Sequence, residues 1–141
     1  MAGEAGHAGD ITPEDAIALI ESRPETVLID VRTPGEWDAV GVPDTAGVGS
    51  APILLEWALP PTMSPNPEFV PQLEAALRER GADARTPLLF LCRSGARSAA
   101  AARAMTARGY GQAYNIAGGF EGSPPQGMPG WKAAGHPWSH R

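Results

Sequence analysis

A chain of 141 residues is long enough to bury a hydrophobic core, and we expect it to form a single domain. Its net charge of -5 argues against nucleic acid or an anionic membrane surface as a partner. No apolar run reaches the length of a transmembrane helix and the N-terminus lacks a signal-peptide pattern, so we expect a cytoplasmic protein. The single cysteine excludes an internal disulfide framework. The three histidines show no metal-ligand spacing with it, and we expect no metal and no cofactor.

The first 40 residues alternate apolar runs with marked helix starts. Residues 1–9 are small and predict a loose tail. Thr12, followed by a proline, marks the start of a helix, and the apolar run at residues 26–31 predicts a buried strand. Thr33 and Glu36 then form a capping-box pattern at the start of a second, short helix. This alternation favours a parallel sheet with helices on its faces.

The stretch at residues 41–67 breaks the alternation. It carries many glycines and prolines around one apolar patch, and we predict a short edge strand at residues 46–48 followed by a long loop. Two interpretations stay open for this loop. It is either a surface elaboration held down by its apolar side chains, or a flap over the active site in which Glu56 or Trp57 contacts the substrate.

The remainder of the chain returns to a regular pattern. A stripe of apolar residues at helical spacing predicts a core helix that starts at Asn66 and stops at Gly81. The continuous apolar run at residues 88–91 predicts a second buried strand. An alanine-rich helix is predicted at residues 99–108, and a last strand at residues 113–116.

Cys92 directly follows one of these predicted strands and precedes the alanine-rich helix. A lone cysteine is more often a small buried hydrophobe than a nucleophile. Here the next three residues are polar or small, and the amides and dipole at a helix start stabilise a thiolate. Residues 84–120 also contain five arginines and no acidic residue. We therefore favour a reactive Cys92 over an inert buried thiol.

The sequence CRSGARS, which begins at Cys92, resembles the active-site loop of rhodanese-type sulfurtransferases. The resemblance extends in order along nearly the whole chain. It implies a rhodanese-like α/β fold with a central parallel five-stranded sheet and helices on both faces, formed by residues 10–141 with an extended loop at about 41–67. The other blocks that carry it are DVRTPGEW at residues 30–37, NIAGGFEG at residues 115–122 and GWKAAGHPW at residues 130–138.

The resemblance also implies a chemistry. Cys92 matches the nucleophile that takes a sulfane sulfur, becomes a persulfide and passes the sulfur to a thiophilic acceptor. The implied enzyme is a sulfurtransferase with a small anionic donor such as thiosulfate, and with cyanide or a thiol as acceptor. A sulfur-accepting protein is a further candidate partner. The residues that match the rest of the active-site loop are Arg93, Ser94, Gly95, Ala96, Arg97 and Ser98.

Within this loop, Arg97, with Arg93 as a second candidate, would hold the anionic end of the donor through charge-assisted hydrogen bonds. Ser94 and Ser98 could donate to the persulfide, although a role of Ser98 as the cap of the helix is equally open.

A further block matches family positions that usually appear structural, and we expect its members to brace loops by ion pairs. They are Asp30, Arg32 and Glu36. The family often follows this block with a Gly-His-Ile-type segment, whereas residues 41–44 read GVPD. We therefore expect substrate choice to be decided in the stretch at residues 41–67.

Two other classes of function remain open. Cysteine phosphatases and arsenate reductases resemble the same fold, but their loops place five residues between cysteine and arginine. Cys92 and Arg97 enclose only four, and this shorter loop suits a terminal sulfur better than a tetrahedral oxyanion. The second class is non-enzymatic: a persulfide carrier without turnover, or a protein-interaction module that retains the fold.

Overall fold

The computed structural model describes residues 6–141, and its regular elements alternate along the chain. The strands are β1 (Gly9–Ile11), β2 (Val27–Asp30), β3 (Val42–Pro43), β4 (Ile53–Leu54), β5 (Ala58–Leu59), β6 (Ser64–Pro65), β7 (Leu88–Leu91), β8 (Ala113–Ile116) and β9 (Trp138–Ser139). The helices are α1 (Pro13–Ser22), α2 (Pro34–Val40), α3 (Phe69–Glu79), α4 (Ala96–Ala107) and α5 (Gly130–Ala133), with a 3-10 turn at Pro124–Gln126.

Five of the strands form a central sheet in the order β1-β8-β7-β2-β4, and all neighbouring pairs run parallel. Two small antiparallel pairs, β3 with β9 and β5 with β6, lie outside this sheet. In a parallel sheet the carboxyl ends of the strands share one edge, and side chains that follow β2, β7 and β8 therefore meet there.

The central strand β7 is buried on both faces, as its continuous apolar sequence predicts. Leu88 and Phe90 pack with side chains of α3 and α4. Leu89 and Leu91 pack on the opposite face with side chains of α1 and α5. This pattern follows from the period of two residues in a strand. The predicted fold class, a parallel five-stranded sheet with helices on both faces, is confirmed.

The capping residues of the first two helices behave as their sequence indicates. Thr12 accepts a hydrogen bond from the backbone N–H of Asp15 at the start of α1. Thr33 and Glu36 form both halves of the capping box at the start of α2. Such contacts satisfy backbone N–H groups that have no partner inside the helix.

The start of α4 differs from its prediction. The helix begins at Ala96, three residues before the predicted start, and Gly95 is its N-cap residue with a φ of 125°. A positive φ of this size is readily adopted only by glycine, and it allows the chain to turn into the helix directly after the loop. Ser98 consequently lies inside the first turn, and of the two roles left open for it, that of helix cap is excluded.

The predicted edge strand at residues 46–48 is also wrong. These residues form a turn, which Thr45 closes by accepting backbone hydrogen bonds from Val48 and Gly49 and by donating from its hydroxyl to the carbonyl of Ser50 at 2.6 Å. The edge strand is β4, which pairs with β2 through Ile29 and Ile53.

The rest of the long excursion is fixed to the end of β2. The backbone N–H groups of Leu55 and Trp57 donate to the carbonyls of Asp30 and Val31 at 3.0 and 3.1 Å. The Trp57 ring packs edge-on against Phe69, with 4.9 Å between the ring centroids. The stretch therefore has its own ordered structure, which ends in the β5–β6 hairpin.

The sheet begins inside the stretch that the sequence predicts as a tail. Ala8 donates its backbone N–H to Ala113, and Gly9 pairs with Tyr114 across the edge of the sheet. Residues 1–5 of the predicted tail lie outside the described residues. Within residues 6–141, no helix has the length and apolar character needed to cross a membrane.

Candidate active site

Cys92 lies at the carboxyl end of the central strand, one residue beyond β7. The residue is buried, with 1% of its surface exposed. The Sγ atom accepts a hydrogen bond from the backbone N–H of Gly95 at 3.1 Å, and Ser98 Oγ lies 3.1 Å away. The loop thus folds back so that a backbone donor next to the start of α4 points at the sulfur. This arrangement can stabilise negative charge on the sulfur.

A second loop, which follows β8, is hydrogen-bonded to the backbone of the Cys92 loop. The backbone N–H groups of Phe120 and Glu121 donate to the carbonyls of Cys92 and Arg93 at 2.8 and 2.9 Å. Gly119 has a φ of 61°, and a Cβ at this position would lie 2.5 Å from both carbonyl oxygens. The sequence alone indicates no specific role for this glycine, although the adjacent pair of glycines in NIAGGFEG is typical of close backbone approach.

On its other side, the Gly119–Phe120 segment is bonded to the start of α5. The backbone N–H of Trp131 donates to the carbonyl of Gly119 at 2.9 Å, and that of Lys132 donates to the carbonyl of Phe120 at 3.1 Å. Trp131 is fully buried. The segment behind the active-site loop is therefore fixed from two directions.

Arg97 forms a two-pronged ion pair with Glu36 of α2. Its Nη1 and Nη2 atoms lie 2.8 and 2.9 Å from the two carboxylate oxygens. Burial of the carboxylate by itself raises the pKa of Glu36, but hydrogen bonds from Arg97 and Thr33 outweigh that effect and lower the pKa to about 2. The pair ties the active-site loop to α2, which is the bracing role expected of Glu36.

Arg93 is the more accessible arginine of the loop. Its side chain is 66% exposed, and its closest ionic partner, Glu121, lies 3.6 Å from Nε. Ser94 and Ala96 are also exposed, whereas Gly95 is half-buried. The outer face of the loop therefore presents one loosely held cation to solvent.

Asp30 and Arg32 form a fully buried ion pair at the end of β2. Arg32 donates to both carboxylate oxygens of Asp30, with Nε to Oδ1 at 3.0 Å and Nη2 to Oδ2 at 2.6 Å. Nη2 also donates to the carbonyl of Gly41 at 2.8 Å, and the guanidinium lies 4.2 Å from the centre of the Phe120 ring. The pair connects the end of β2, the end of α2 and the loop behind Cys92.

Asn115 belongs to the site from the neighbouring strand β8, although the sequence did not predict it as a site residue. Its Oδ1 atom lies 2.5 Å from Ser98 Oγ, and its Nδ2 donates to Asp10 of β1 at 3.1 Å. Asn115 is 6% exposed and Ser98 is fully buried. The only sequence sign was the position of Asn115 in the NIAGGFEG block, at the end of a predicted strand.

The sequence model of the rhodanese-like domain matches residues 12–123. The chain belongs to the rhodanese-like family. A crystal structure of a protein from M. tuberculosis superimposes with a TM-score of 0.80 at 41% identity, covering 96% of this chain and 99% of that one. An uncharacterised protein of Rickettsia conorii is 34% identical over 129 residues, which are 92% of this chain and 95% of the relative.

Two relatives of this rhodanese-like domain carry functional names. A thiosulfate sulfurtransferase of Pseudomonas syringae is 30% identical over 79% of this chain and 82% of its own. The solution structure of a homodimeric polysulfide-sulfur transferase from Wolinella succinogenes is 27% identical, with a TM-score of 0.60, and the match covers 98% of this chain and 84% of that one.

The two residues predicted to form a flap lie on the stretch that is bonded to the end of β2. Glu56 accepts a hydrogen bond at its carbonyl from Asn66, and the Trp57 ring packs on Phe69. The 53–57 stretch therefore lies at the carboxyl ends of the central strands, where Cys92 also lies. Contact of either side chain with a substrate stays a prediction.

In residues 6–141, no group of three or more His, Cys, Asp and Glu side chains is placed to hold a metal ion.

Proposed function

We propose that the protein is a sulfurtransferase that carries a sulfane sulfur as a persulfide on Cys92. The observation that carries this proposal is the position of Sγ at the end of the central strand, 3.1 Å from the backbone N–H of Gly95 at the start of α4. A thiolate at this position can attack a sulfane sulfur without a histidine base, because no proton has to be removed during the attack. Membership of the rhodanese-like family supports the assignment.

The proposed reaction has two steps. In the first, the Cys92 thiolate attacks the outer sulfur of thiosulfate, a bond forms between the two sulfurs, and the sulfur–sulfur bond of the donor breaks. Sulfite leaves with the electron pair of that bond. In the second, cyanide or a thiolate attacks the outer sulfur of the persulfide, and Cys92 leaves as a thiolate. No external oxidant or reductant is needed, because each step exchanges one nucleophile for another.

The ion pairs of Arg93 and Arg97 indicate which of the two arginines can bind an anionic donor. Arg97 was expected to hold the anionic end of the donor, but its guanidinium already makes two short hydrogen bonds to Glu36. Arg93 is exposed and only loosely paired. We therefore propose Arg93 as the first contact of an anionic donor, and Arg97 as the residue that fixes the loop. The names of the Pseudomonas and Wolinella relatives make thiosulfate and polysulfide the donors to test first.

Burial of the sulfur favours small acceptors. Because the unmodified Cys92 is 1% exposed, we propose cyanide or a small thiolate, rather than a folded protein surface, as the preferred acceptor. A sulfur-accepting protein would have to present an extended or flexible segment. The alternative of a persulfide carrier without turnover differs only in the second step.

Intact mass spectrometry tests the proposal. Incubation with thiosulfate or polysulfide, followed by removal of the donor, should add one sulfur, about 32 Da, and Cys92→Ser should abolish the gain. Addition of cyanide should restore the original mass and release thiocyanate. Multiple turnovers identify an enzyme, whereas a stable persulfide that is not discharged identifies a carrier. Hydrolysis of an aryl phosphate without any gain of sulfur would refute the proposal in favour of a phosphatase.

A further inference from the structure

The hydroxyl of Ser98 has one proton and three neighbouring acceptors. Its Oγ atom lies 3.1 Å from Cys92 Sγ, 3.2 Å from the carbonyl of Gly95 and 2.5 Å from Asn115 Oδ1. A serine hydroxyl can donate only one full hydrogen bond at a time. The position of this proton therefore decides whether Ser98 donates to the sulfur.

The orientation of the Asn115 amide is set by Asp10. An ionised carboxylate can only accept hydrogen bonds, so the side of the amide that faces Asp10 Oδ1 at 3.1 Å has to be the NH₂ group. The carbonyl oxygen of the amide then faces Ser98. Two oxygens at 2.5 Å cannot both be acceptors, and the Ser98 hydroxyl consequently donates to Asn115.

This arrangement leaves lone pairs, and no proton, on the side of Ser98 that faces Cys92. Such an oxygen can accept the S–H of a neutral thiol but cannot stabilise a thiolate. We propose that Asp10, acting through Asn115, directs the Ser98 proton away from Cys92 Sγ and so makes the free cysteine less reactive than the Gly95 amide alone would make it. Asp10 and Asn115 are positioning residues in this proposal, since neither contacts the sulfur itself.

The same arrangement is compatible with the persulfide, and in this respect the inference rests on the proposed function. In a persulfide the negative charge lies on the outer sulfur, and the inner sulfur is a weak hydrogen-bond acceptor. The Ser98–Asn115 hydrogen bond can then remain while Cys92 is loaded. The network therefore restrains the reactivity of the free cysteine without opposing the loaded state.

The charge of Asp10 could also act on the sulfur through space, and the surrounding charges define this competing explanation. Asp10 faces His7, whose Nε2 lies 3.4 Å from Oδ1, and it shares an open cleft of about 450 Å³ with Arg103 of α4. The Arg97 guanidinium, which is paired with Glu36, also interacts electrostatically with Cys92. The effect that Asp10 exerts through Asn115 therefore has to be separated from a change in the electrostatic potential at the sulfur.

Alkylation by iodoacetamide reports the thiolate fraction and tests the proposal. Asp10→Asn removes the charge that fixes the Asn115 amide, so that the amide can rotate and donate to Ser98. The Ser98 proton is then shared between the two acceptors that remain, Cys92 Sγ and the carbonyl of Gly95. Asp10 is a suitable target because its side chain is 63% exposed. We expect the alkylation rate at pH 7 to rise about threefold to tenfold, with little change at pH 10, which lies above the ordinary thiol pKa of about 8.5.

Double variants separate the hydrogen-bonded route from the effect of charge. In an Asn115→Ala background, and in a Ser98→Ala background, Asp10→Asn should leave the rate at pH 7 unchanged. Ser98→Ala serves if Asn115→Ala does not fold. An Asp10→Asn effect that persists in these backgrounds would show a through-space action and overturn the proposal. An unchanged rate in the Asp10→Asn single variant would also overturn it. Alkylation needs no sulfur donor, so its outcome is independent of the persulfide measurement.

Discussion

The ion pair between Glu36 and Arg97 predicts a specific loss of stability in acid. Glu36→Gln is the appropriate perturbation, because glutamine keeps the shape of the side chain and can still accept the hydrogen bond from the backbone N–H of Thr33. The substitution removes the carboxylate charge that faces the Arg97 guanidinium at 2.8 and 2.9 Å. It therefore isolates the contribution of the charge from that of the helix cap.

The magnitude follows from the change in the pKa of Glu36. Burial alone would raise this pKa, but the contacts with Arg97 and Thr33 lower it from 4.5 to about 2. This difference corresponds to about 3 kcal/mol of stabilisation at neutral pH. Because the pKa is lower in the folded state, the stabilisation is present above about pH 4.5 and is lost as the pH falls towards 2. About 2 kcal/mol of it should be gone at pH 3.

Urea unfolding of both proteins at pH 7 and pH 3 measures this effect. We expect Glu36→Gln to be less stable than wild type by about 3 kcal/mol at pH 7 and by only about 1 kcal/mol at pH 3. Glu25→Gln is the control, because it breaks a pair with Arg23 in which the two side chains are 53% and 40% exposed. Exposed pairs contribute little, so its stability difference should vary much less with pH. A Glu36→Gln difference that is the same at both pH values would refute the reasoning.

Three further substitutions test the site. Gly119→Ala should lower the free energy of unfolding by at least about 2 kcal/mol, since its Cβ would lie 2.5 Å from the carbonyl oxygens of Cys92 and Arg93. Gly111→Ala, where a Cβ meets nothing within 4 Å, should stay within about 0.5 kcal/mol of wild type in the same urea titration, and equal effects would contradict the steric argument. Arg93→Ala should raise the KM for thiosulfate about tenfold in a thiocyanate assay, with partial recovery in Arg93→Lys. An unchanged KM would exclude Arg93 as the donor contact. Arg97→Ala should destabilise the fold at pH 7 to about the extent of Glu36→Gln, and a fully stable variant with weakened thiosulfate use would restore Arg97 as that contact.

The sequence predicted the elements whose signals are local. The buried strand at Leu88–Leu91 was visible as a short apolar run, and the cap of α2 as a threonine three residues before a glutamate. The identity of Cys92 as the candidate nucleophile came from its position between a strand and a helix. Each of these inferences depends on neighbours within a few residues, where backbone preferences act directly.

The contacts around the loop could not be predicted in the same way. Ser98 meets Asn115 from a different strand, and Asn115 in turn meets Asp10, which is 105 residues away in sequence. Arg97 meets Glu36 across 61 residues. Such pairs are set by strand order and register, for which a single sequence gives no measure. The arginine five residues after Cys92 therefore suggested a binding site for an anionic donor, although the Glu36 carboxylate already binds the Arg97 guanidinium.

The error over the edge strand has a different cause. The small and β-branched residues at 46–48 resemble a strand, but the hydroxyl of Thr45 closes a turn by bonding to the carbonyl of Ser50. Local side-chain hydrogen bonds of this kind compete with strand formation. The chain then joins the sheet only at Ile53.

The hydrogen bonds from α5 to the Gly119–Phe120 segment have a practical consequence for protein production. The family match ends at residue 123, and a truncated protein designed on that boundary would lack Trp131 and Lys132, whose amides hold this segment from behind. It would also lose β9, the partner of β3. Such a fragment would keep Cys92 and every residue of its loop but leave the supporting backbone unbound on one side. A fragment that retains both sets of contacts therefore has to extend to Ser139.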